Sequence, residues 1–165
     1  MKKYILKYGI VGGLVSSILG TLNWILIARS VGVSASQAVG YISIALSLLC
    51  IPLGVRYFRD KQNKGVVSFA QAFKIGLAIT SIAAIVMAIH SALFFAFQKD
   101  EFMAWQKEGL SQAQLAAFNE QMAAMPDYAY TPFFQAVVMF IMVFLIGAVV
   151  NVISALVLKQ QAVGS

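Results

Sequence analysis

The chain has 165 residues, of which 61% are hydrophobic and only 11% are charged, and its mean hydropathy is +0.84. A soluble domain carries roughly 45–50% apolar and about 25% charged residues, so this composition predicts an integral membrane protein. The net charge of +6 does not indicate nucleic-acid binding, because the basic residues flank apolar blocks and form no stripe with interleaved aromatic residues.

Four apolar blocks are long enough to cross a bilayer as helices, which takes about 20 predominantly apolar residues. They comprise residues 8–28, 39–55, 75–97 and 133–158. An open sheet would leave backbone groups unpaired in lipid, and barrel strands would be shorter and would alternate in polarity. The predicted fold is therefore all-α: an integral membrane four-helix bundle that forms a single transmembrane domain over residues 1–165.

The first block also has features of a cleavable signal peptide. Lys2, Lys3 and Lys7 precede it, and Val33-Ser34-Ala35 follows it as a small-residue cleavage site would. Its apolar stretch is longer than the roughly 7–15 residues of a signal sequence. We therefore interpret it as a membrane anchor.

The first and third predicted spans carry small residues at four-residue spacing. The first helix has Gly9, Gly13, Ser17 and Thr21, with a second row at Gly12, Ser16 and Gly20; the third helix, which begins before its span, has Ala72, Gly76, Thr80, Ala84, Ala88, Ala92 and Ala96. Such rows let helix backbones approach closely in lipid. The pattern predicts close helix packing, and it leaves open whether the contacts lie within one chain or between chains.

Local signals place the ends of the third and fourth helices. Ser68 is a candidate N-cap, and a helix from there to Gly109, a candidate left-handed C-cap, would be ~60 Å long at 1.5 Å per residue. It would therefore project from the membrane into an extramembrane helical segment, residues 98–131. Ser111 and Gln114 form a capping box for an amphipathic helix in that segment, and Pro132 suits the first turn of the fourth helix.

The apolar face of this extramembrane helix has two interpretations. Its members are Leu115, Phe118, Met122 and Met125. The face either packs on the bundle as a lid or serves as a docking surface for a partner.

No residue pattern typical of catalysis, metal binding or cofactor binding is found, so the sequence predicts no catalytic, metal or cofactor-binding residue and no cofactor. Cys50 lies alone in an apolar block. His90 and Asn151 are the notable polar residues within the spans. We interpret His90 as a neutral side chain with one hydrogen bond, and Asn151, with Ser154, as an interhelical hydrogen-bonding pair.

The basic residues predict the orientation. Nine of them fall at the N-terminus, in the second loop and its flanks, and at the C-terminus: Lys2, Lys3, Lys7, Arg56, Arg59, Lys61, Lys64, Lys74 and Lys159. Only Arg29, Lys99 and Lys107 fall on the other side. Because cytoplasmic loops carry the excess of Lys and Arg, both termini are predicted to be cytoplasmic, in a bacterial inner membrane.

Several runs of the sequence resemble one family. They are Gly54-Val55-Arg56-Tyr57-Phe58-Arg59-Asp60, Val67-Ser68-Phe69, Ala72-Phe73-Lys74-Ile75-Gly76, Pro132-Phe133-Phe134 and Ile153-Ser154-Ala155-Leu156. In these runs the chain resembles domain-of-unknown-function family 4199, small four-helix bacterial membrane proteins. The resemblance implies the four-helix architecture and a polar outer loop, and it brings no activity and no site residues.

Three functions are considered. An enzyme is disfavoured, because the sequence offers no plausible nucleophile–base pair. Of the other two, the first is a non-enzymatic scaffold or accessory subunit that packs with another membrane protein or with further copies of itself in the lipid bilayer. The alternative is a small transporter or channel subunit with Asn23, Ser43, Ser47, His90 and Asn151 along a path. Clustering of these five side chains would favour the alternative, and dispersal would favour the scaffold.

Overall fold

The computed structural model describes residues 3–160, so residues 1–2, which include Lys2, and residues 161–165 lie outside the described part of the chain. Helix α1 covers Lys3–Leu22 and continues as a π-helical turn, Asn23–Ile27. The remaining helices are α2 Ala28–Ser47, α3 Cys50–Tyr57 with a π-helical turn Phe58–Gln62, α4 Phe69–Lys107, α5 Gln112–Ala124 and α6 Pro132–Leu158. A short 3-10 turn, Asp127–Tyr130, precedes α6.

Four helical stretches of the described chain are long and apolar enough to cross a membrane: Lys3–Ile27, Ser30–Gln62, Phe69–Lys107 and Pro132–Leu158. The predicted all-α membrane bundle of four helices is confirmed. The helical stretches run past the apolar ranges predicted from sequence, because polar residues at the helix ends continue the backbone hydrogen bonding outside the apolar core.

The bundle has two distinguishable ends. One end holds the beginning of α1, the connection 63–68 and Gln160. The Gln160 N–H donates to the Val67 carbonyl, and the Val67 N–H donates to the Gln160 carbonyl, at 2.9 Å each. We call the half next to this end the terminal half. The opposite end holds Gly32 and the segment 108–131. Gly32 lies inside α2 but is not helical (φ 77°, ψ 173°), so α2 is interrupted there by a kink between the first two spans. We call the adjoining half the loop half.

The predicted helix ends are confirmed. At the start of α4, Ser68 Oγ accepts from the Gln71 N–H at 3.2 Å and Gln71 Oε1 accepts from the Ser68 N–H at 3.1 Å. Ser111 and Gln114 make the same reciprocal pair at the start of α5. Gly109, after the end of α4, has φ 76°, the left-handed conformation expected there.

The second membrane-spanning stretch is broken into α2 and α3 at Leu48 and Leu49. Pro52 explains the break, because its ring would clash with the carbonyl of the residue four positions earlier, Leu48, in a continuous helix. In the third position of α3, Pro52 occupies the first turn, where a missing N–H costs no intrahelical hydrogen bond.

The best-packed part of the protein lies where α3, α4 and α6 meet the beginning of α1. Leu48, Ile51, Val55, Ile79 and Val143 are fully buried there. Helix α2, by contrast, packs mainly on α1 and its π-helical turn, and only weakly on α4. The loop half is therefore more open than the terminal half.

The small-residue rows pack inside the chain. A Cβ built on Gly9 would lie 2.6 Å from Ile82 Cβ, and one built on Gly13 would lie 2.5 Å from Val86 Cβ, so α1 and α4 touch closely at these glycines. Gly76 of α4 lies against Asn151 of α6 in the same way. Burial of the α4 row ends after Ala84: Ala88 and Ala92 are half-buried and Ala96 is exposed.

Helix α5 does not cover the bundle. None of its residues is buried, and two of its side-chain contacts are with the segments beside it in the chain. Tyr130 O–H donates to the Met122 carbonyl at 2.6 Å, and Lys107 Nζ lies 5.8 Å from the centre of the Phe118 ring. On the predicted apolar face, Leu115, Phe118 and Met122 are half-buried and Met125 is 41% exposed. In the described chain, α5 therefore does not form a lid with its apolar face buried on the bundle.

Candidate functional site

A cavity of about 340 Å³ lies in the loop half. Its wall comes from α1 with its π-helical turn, from α2, from α4 and from two methionines of α6. It lies where α2 makes almost no contact with α6, while α4 packs against both α1 and α6. The polar lining residues are Ser16, Ser17, Asn23, Ser36, Gln37, Ser43, His90 and Ser91, and the aromatic ones are Trp24, Tyr41, Phe94, Phe102 and Trp105.

The π-helical turn places Asn23 at the cavity. Its amide Nδ2 donates to Ser36 on α2, to the carbonyl oxygen and to Oγ at 3.0 Å each. Its Oδ1 is buried and has no hydrogen-bond partner among the described residues. A π-helical turn inserts an extra residue into a helix and often lies at functional sites. Here it joins α1 to α2 and leaves one acceptor atom unpaired.

His90 makes the single hydrogen bond expected of it. Its Nε2 lies 2.9 Å from Thr21 Oγ1, and the Thr21 hydroxyl also lies 2.9 Å from the Ser17 carbonyl. One hydroxyl proton cannot serve both acceptors. If Thr21 donates to Ser17, the imidazole must carry its proton on Nε2 and donate to Thr21.

Aromatic rings form one side of the cavity. The Trp24 ring meets Phe94 and Trp105 edge to face, with centroid distances of 5.4 and 5.5 Å. Trp105 is buried, and its indole N–H donates to the Ala28 carbonyl at 3.1 Å, which ties the far end of α4 to the start of α2. The rings supply flat apolar surface beside the hydroxyl and amide groups.

The structure brings together three of the five polar residues singled out for a transport path. Asn23, Ser43 and His90 line the cavity, and Ser47 and Asn151 do not. The Ser47 hydroxyl donates to the Ile44 carbonyl of its own helix at 2.7 Å.

The fourth helix contributes polar contacts outside the cavity. Asn151 Nδ2 donates across the bundle to the Phe73 carbonyl at 2.9 Å, as an interhelical hydrogen bond. Ser154 donates to the Val150 carbonyl of its own helix at 2.7 Å, so the predicted interhelical role holds for Asn151 alone. The serine hydroxyl finds a nearer acceptor one turn back on α6.

Comparison with known protein families identifies the family of the chain. It matches domain-of-unknown-function family 4199, described as a protein of unknown function, over residues 7–160. The chain belongs to this family. Comparisons with curated proteins and with solved structures find no match.

Several lining residues of this family 4199 member were not identified from sequence. Their spacing in the sequence predicts helix packing for Ser16 and Ser17, and no sequence pattern distinguishes Ser36, Gln37 or Ser91. The sequence does carry a signal near Asn23, because Thr21, Asn23 and Trp24 interrupt an otherwise apolar block. The signal does not reveal which other span faces them.

The chemistry of the cavity is that of binding neutral groups. None of the lining residues in the described chain is a Lys, Arg, Asp or Glu. No group of three His, Cys, Asp or Glu side chains that could hold a metal ion is found within residues 3–160. Hydroxyl, amide and imidazole groups beside aromatic rings can orient an uncharged molecule that carries hydrogen-bonding groups.

Proposed function

We propose that this chain is a non-enzymatic integral membrane protein that binds a small, uncharged, hydrogen-bonding molecule in the loop-half cavity, as a subunit of a small transporter. The observation that carries the proposal is the convergence of Asn23, Ser43 and His90 on one cavity. These residues come from three different spans, so their meeting depends on the fold and not on local sequence.

The lining argues for an uncharged ligand. Burying an unpaired ion away from water costs several kcal/mol or more, and the cavity offers no counter-charge among its described lining residues. Its volume of about 340 Å³ lies in the range of roughly 300–1,000 Å³ that is usual for small-molecule sites. A planar molecule can stack on the Trp24 side and accept hydrogen bonds from the Ser36 and Ser91 hydroxyls. The Ser17 and Ser43 hydroxyls donate to the Gly13 and Val39 carbonyls at 2.9 and 2.8 Å, so they can only accept from a ligand.

Access to the cavity is one-sided. Toward the terminal half, Leu48, Ile51 and Ile79 are fully buried and close the bundle. Both α2 and α6 line the cavity and make almost no contact with each other, so we infer a side opening between them. This arrangement supports a binding site that fills from one face, and a transport step would require the layer around Leu48 to open.

A scaffold role has less support from the same geometry. It rested on the small-residue rows as contacts for other proteins, and Gly9, Gly13 and Gly76 already pack against α4 and α6. The surface that remains apolar is spread along the outside of the helices, as contact with lipid tails requires. We therefore infer that the lipid bilayer is the main partner. From the excess of Lys and Arg at one end, we also propose that both termini are cytoplasmic, in a bacterial inner membrane.

Intrinsic fluorescence tests the proposal, because the chain has two tryptophans and both line the cavity. The purified chain in nanodiscs is titrated with menadione, a neutral planar quinone that quenches tryptophan. A Gly40→Leu variant should fill the cavity without a clash, since a Cβ built on Gly40 meets nothing within 4 Å. Ala45→Leu adds a side chain to an exposed position on the same helix and is the matched control.

The expected result is saturable quenching in the native chain and in Ala45→Leu, with binding weakened at least tenfold in Gly40→Leu. Quenching that rises linearly and equally in all three proteins would reflect partition into lipid, and it would refute the proposed site.

A further inference from the structure

A second pocket, of about 540 Å³, lies at the terminal end of the bundle. It is formed by the first two turns of α1 and by the end of the second span. Its lining residues are Lys3, Tyr4, Lys7, Tyr8, Tyr57 and Gln62. It is separate from the loop-half cavity and shares no residue with it.

The charge of this pocket is positive and unbalanced. Lys3 and Lys7 are one helical turn apart and therefore lie on the same side of α1. No Asp or Glu is among the lining residues in the described chain. The acidic residue nearest in sequence to the lining residues is Asp60, two positions before Gln62. Its carboxylate already pairs with Arg59 at 2.7 Å and with Arg56 at 3.4 Å.

Tyr4 gives the second, independent indication of a ligand. The side chain is only 6% exposed, and its hydroxyl has no hydrogen-bond partner among the described residues. The ring is fixed by Tyr57 and Phe58, with centroid distances of 5.7 and 6.0 Å. A buried hydroxyl without a partner is costly in folded proteins. Because Tyr4 lies in the pocket wall beside Lys3 and Lys7, its unpaired hydroxyl points to an acceptor supplied from outside the chain.

We propose that this pocket binds one anionic phosphate group at the membrane surface. The Lys3 and Lys7 ammonium groups pair with the phosphate oxygens, and the Tyr4 hydroxyl and the Gln62 amide donate to them. A phosphate offers enough oxygens to accept from all four donors at once, which a single carboxylate does less well. The phosphate belongs either to a lipid headgroup, with its chains along the exposed face of α1 that carries Leu6 and Ile10, or to a free phosphate ion.

This site can be tested separately from the proposed function, because its residues lie in the opposite half. The full-length chain in a neutral detergent is titrated with short-chain phosphatidylglycerol, with zwitterionic phosphatidylcholine of the same chain length and with inorganic phosphate, and dissociation constants are measured by microscale thermophoresis. The variants are Lys3→Gln/Lys7→Gln and Tyr4→Phe. The control is Lys61→Gln/Lys74→Gln, which removes the same charge from exposed positions outside the pocket.

Saturable binding of phosphatidylglycerol, at least tenfold tighter than that of phosphatidylcholine, is expected for a lipid headgroup site. Binding of inorganic phosphate with similar affinity would instead identify free phosphate as the ligand. In both cases Lys3→Gln/Lys7→Gln should weaken binding at least tenfold, and the control less than threefold. Tyr4→Phe should weaken binding about tenfold, because a hydrogen bond to a charged group is lost.

Tyr4→Phe also separates a ligand contact from a structural role. It removes only an unpaired hydroxyl, so the melting temperature of the ligand-free protein should stay the same or rise. Unchanged binding in Tyr4→Phe, or equal losses in the lysine variant and its control, would overturn the proposal.

Discussion

At the level of single residues, Asn151 and Gly76 determine how closely α4 and α6 approach. Asn151 is fully buried, and its amide nitrogen donates a hydrogen bond to the Phe73 carbonyl. Its Oδ1 has no partner among the described residues and lies where a Cβ on Gly76 would be. The absence of a side chain at Gly76 is therefore what allows the amide to reach across the bundle.

Replacing Gly76 with Ala should lower the stability by about 2–4 kcal/mol, because the methyl group displaces Asn151 and its hydrogen bond to Phe73 is lost. The measurement is thermal unfolding in detergent, followed by far-ultraviolet circular dichroism. Gly40→Ala is the matched control: it makes the same change on α2, where nothing lies within 4 Å of the new Cβ, and it should cause no loss. Equal melting temperatures for the two variants would contradict the close approach at Gly76.

Single residues also show what a sequence can and cannot reveal about the site. The contact at Gly76 was predictable, because four-residue spacing places small residues on one face of any α-helix. The meeting of Asn23, Ser43 and His90 was not, because it depends on how α1, α2 and α4 are placed relative to one another. No pattern within one helix contains that placement.

Among the helices, α4 and α5 begin in the same way but differ in burial. Each has a serine capping box with a glutamine three positions later. Helix α4 contributes ten buried residues to the bundle, and α5 contributes none. Capping is encoded by neighbouring residues and was predicted for both, whereas burial depends on the distant segments that each helix meets.

The two capping serines should respond differently to the same change. Ser68→Ala should lower the stability of the whole protein by about 1 kcal/mol, because it removes an N-cap from the central helix. Ser111→Ala should leave the global melting temperature unchanged and speed amide hydrogen exchange in Gln112–Ala124 only, since α5 opens without disturbing the bundle. A fall in melting temperature of the same size in both variants would mean that α5 is coupled to the bundle.

The second span shows the limit of hydropathy as a guide to helices. Residues 39–55 read as one uninterrupted apolar block, and the structure divides them at Leu48 and Leu49. Pro52 was the available signal, and its effect falls one turn earlier because its ring interferes with the carbonyl four residues before it. An apolar window contains no information about this backbone conflict.

For the whole molecule, the structure groups the basic segments at one end. The beginning of α1, the connection 63–68 and Gln160 all lie at the terminal end, together with most of the lysines and arginines counted in the sequence. The membrane side on which that end lies is a prediction from the excess of Lys and Arg in cytoplasmic loops.

Cysteine labelling in intact cells tests this orientation. A membrane-impermeant maleimide should label Ser34→Cys, an exposed position near the turn at Gly32, and should fail to label Asn63→Cys until the cells are opened. The native Cys50 is buried and should give little background. Labelling of Asn63→Cys in intact cells would place the terminal end outside and reverse the predicted topology.

The openness of the loop half has a consequence for how cooperatively the protein unfolds. Trp24 and Trp105 both belong to the loop half, while the fully buried layer of Leu48, Ile51 and Val143 belongs to the other part of the bundle. Regions with fewer buried contacts open at lower free energy than the core. Tryptophan emission should therefore change at a lower temperature than helix content, and two transitions that do not coincide would show that unfolding is not two-state. A single melting temperature would then describe only one half of the molecule.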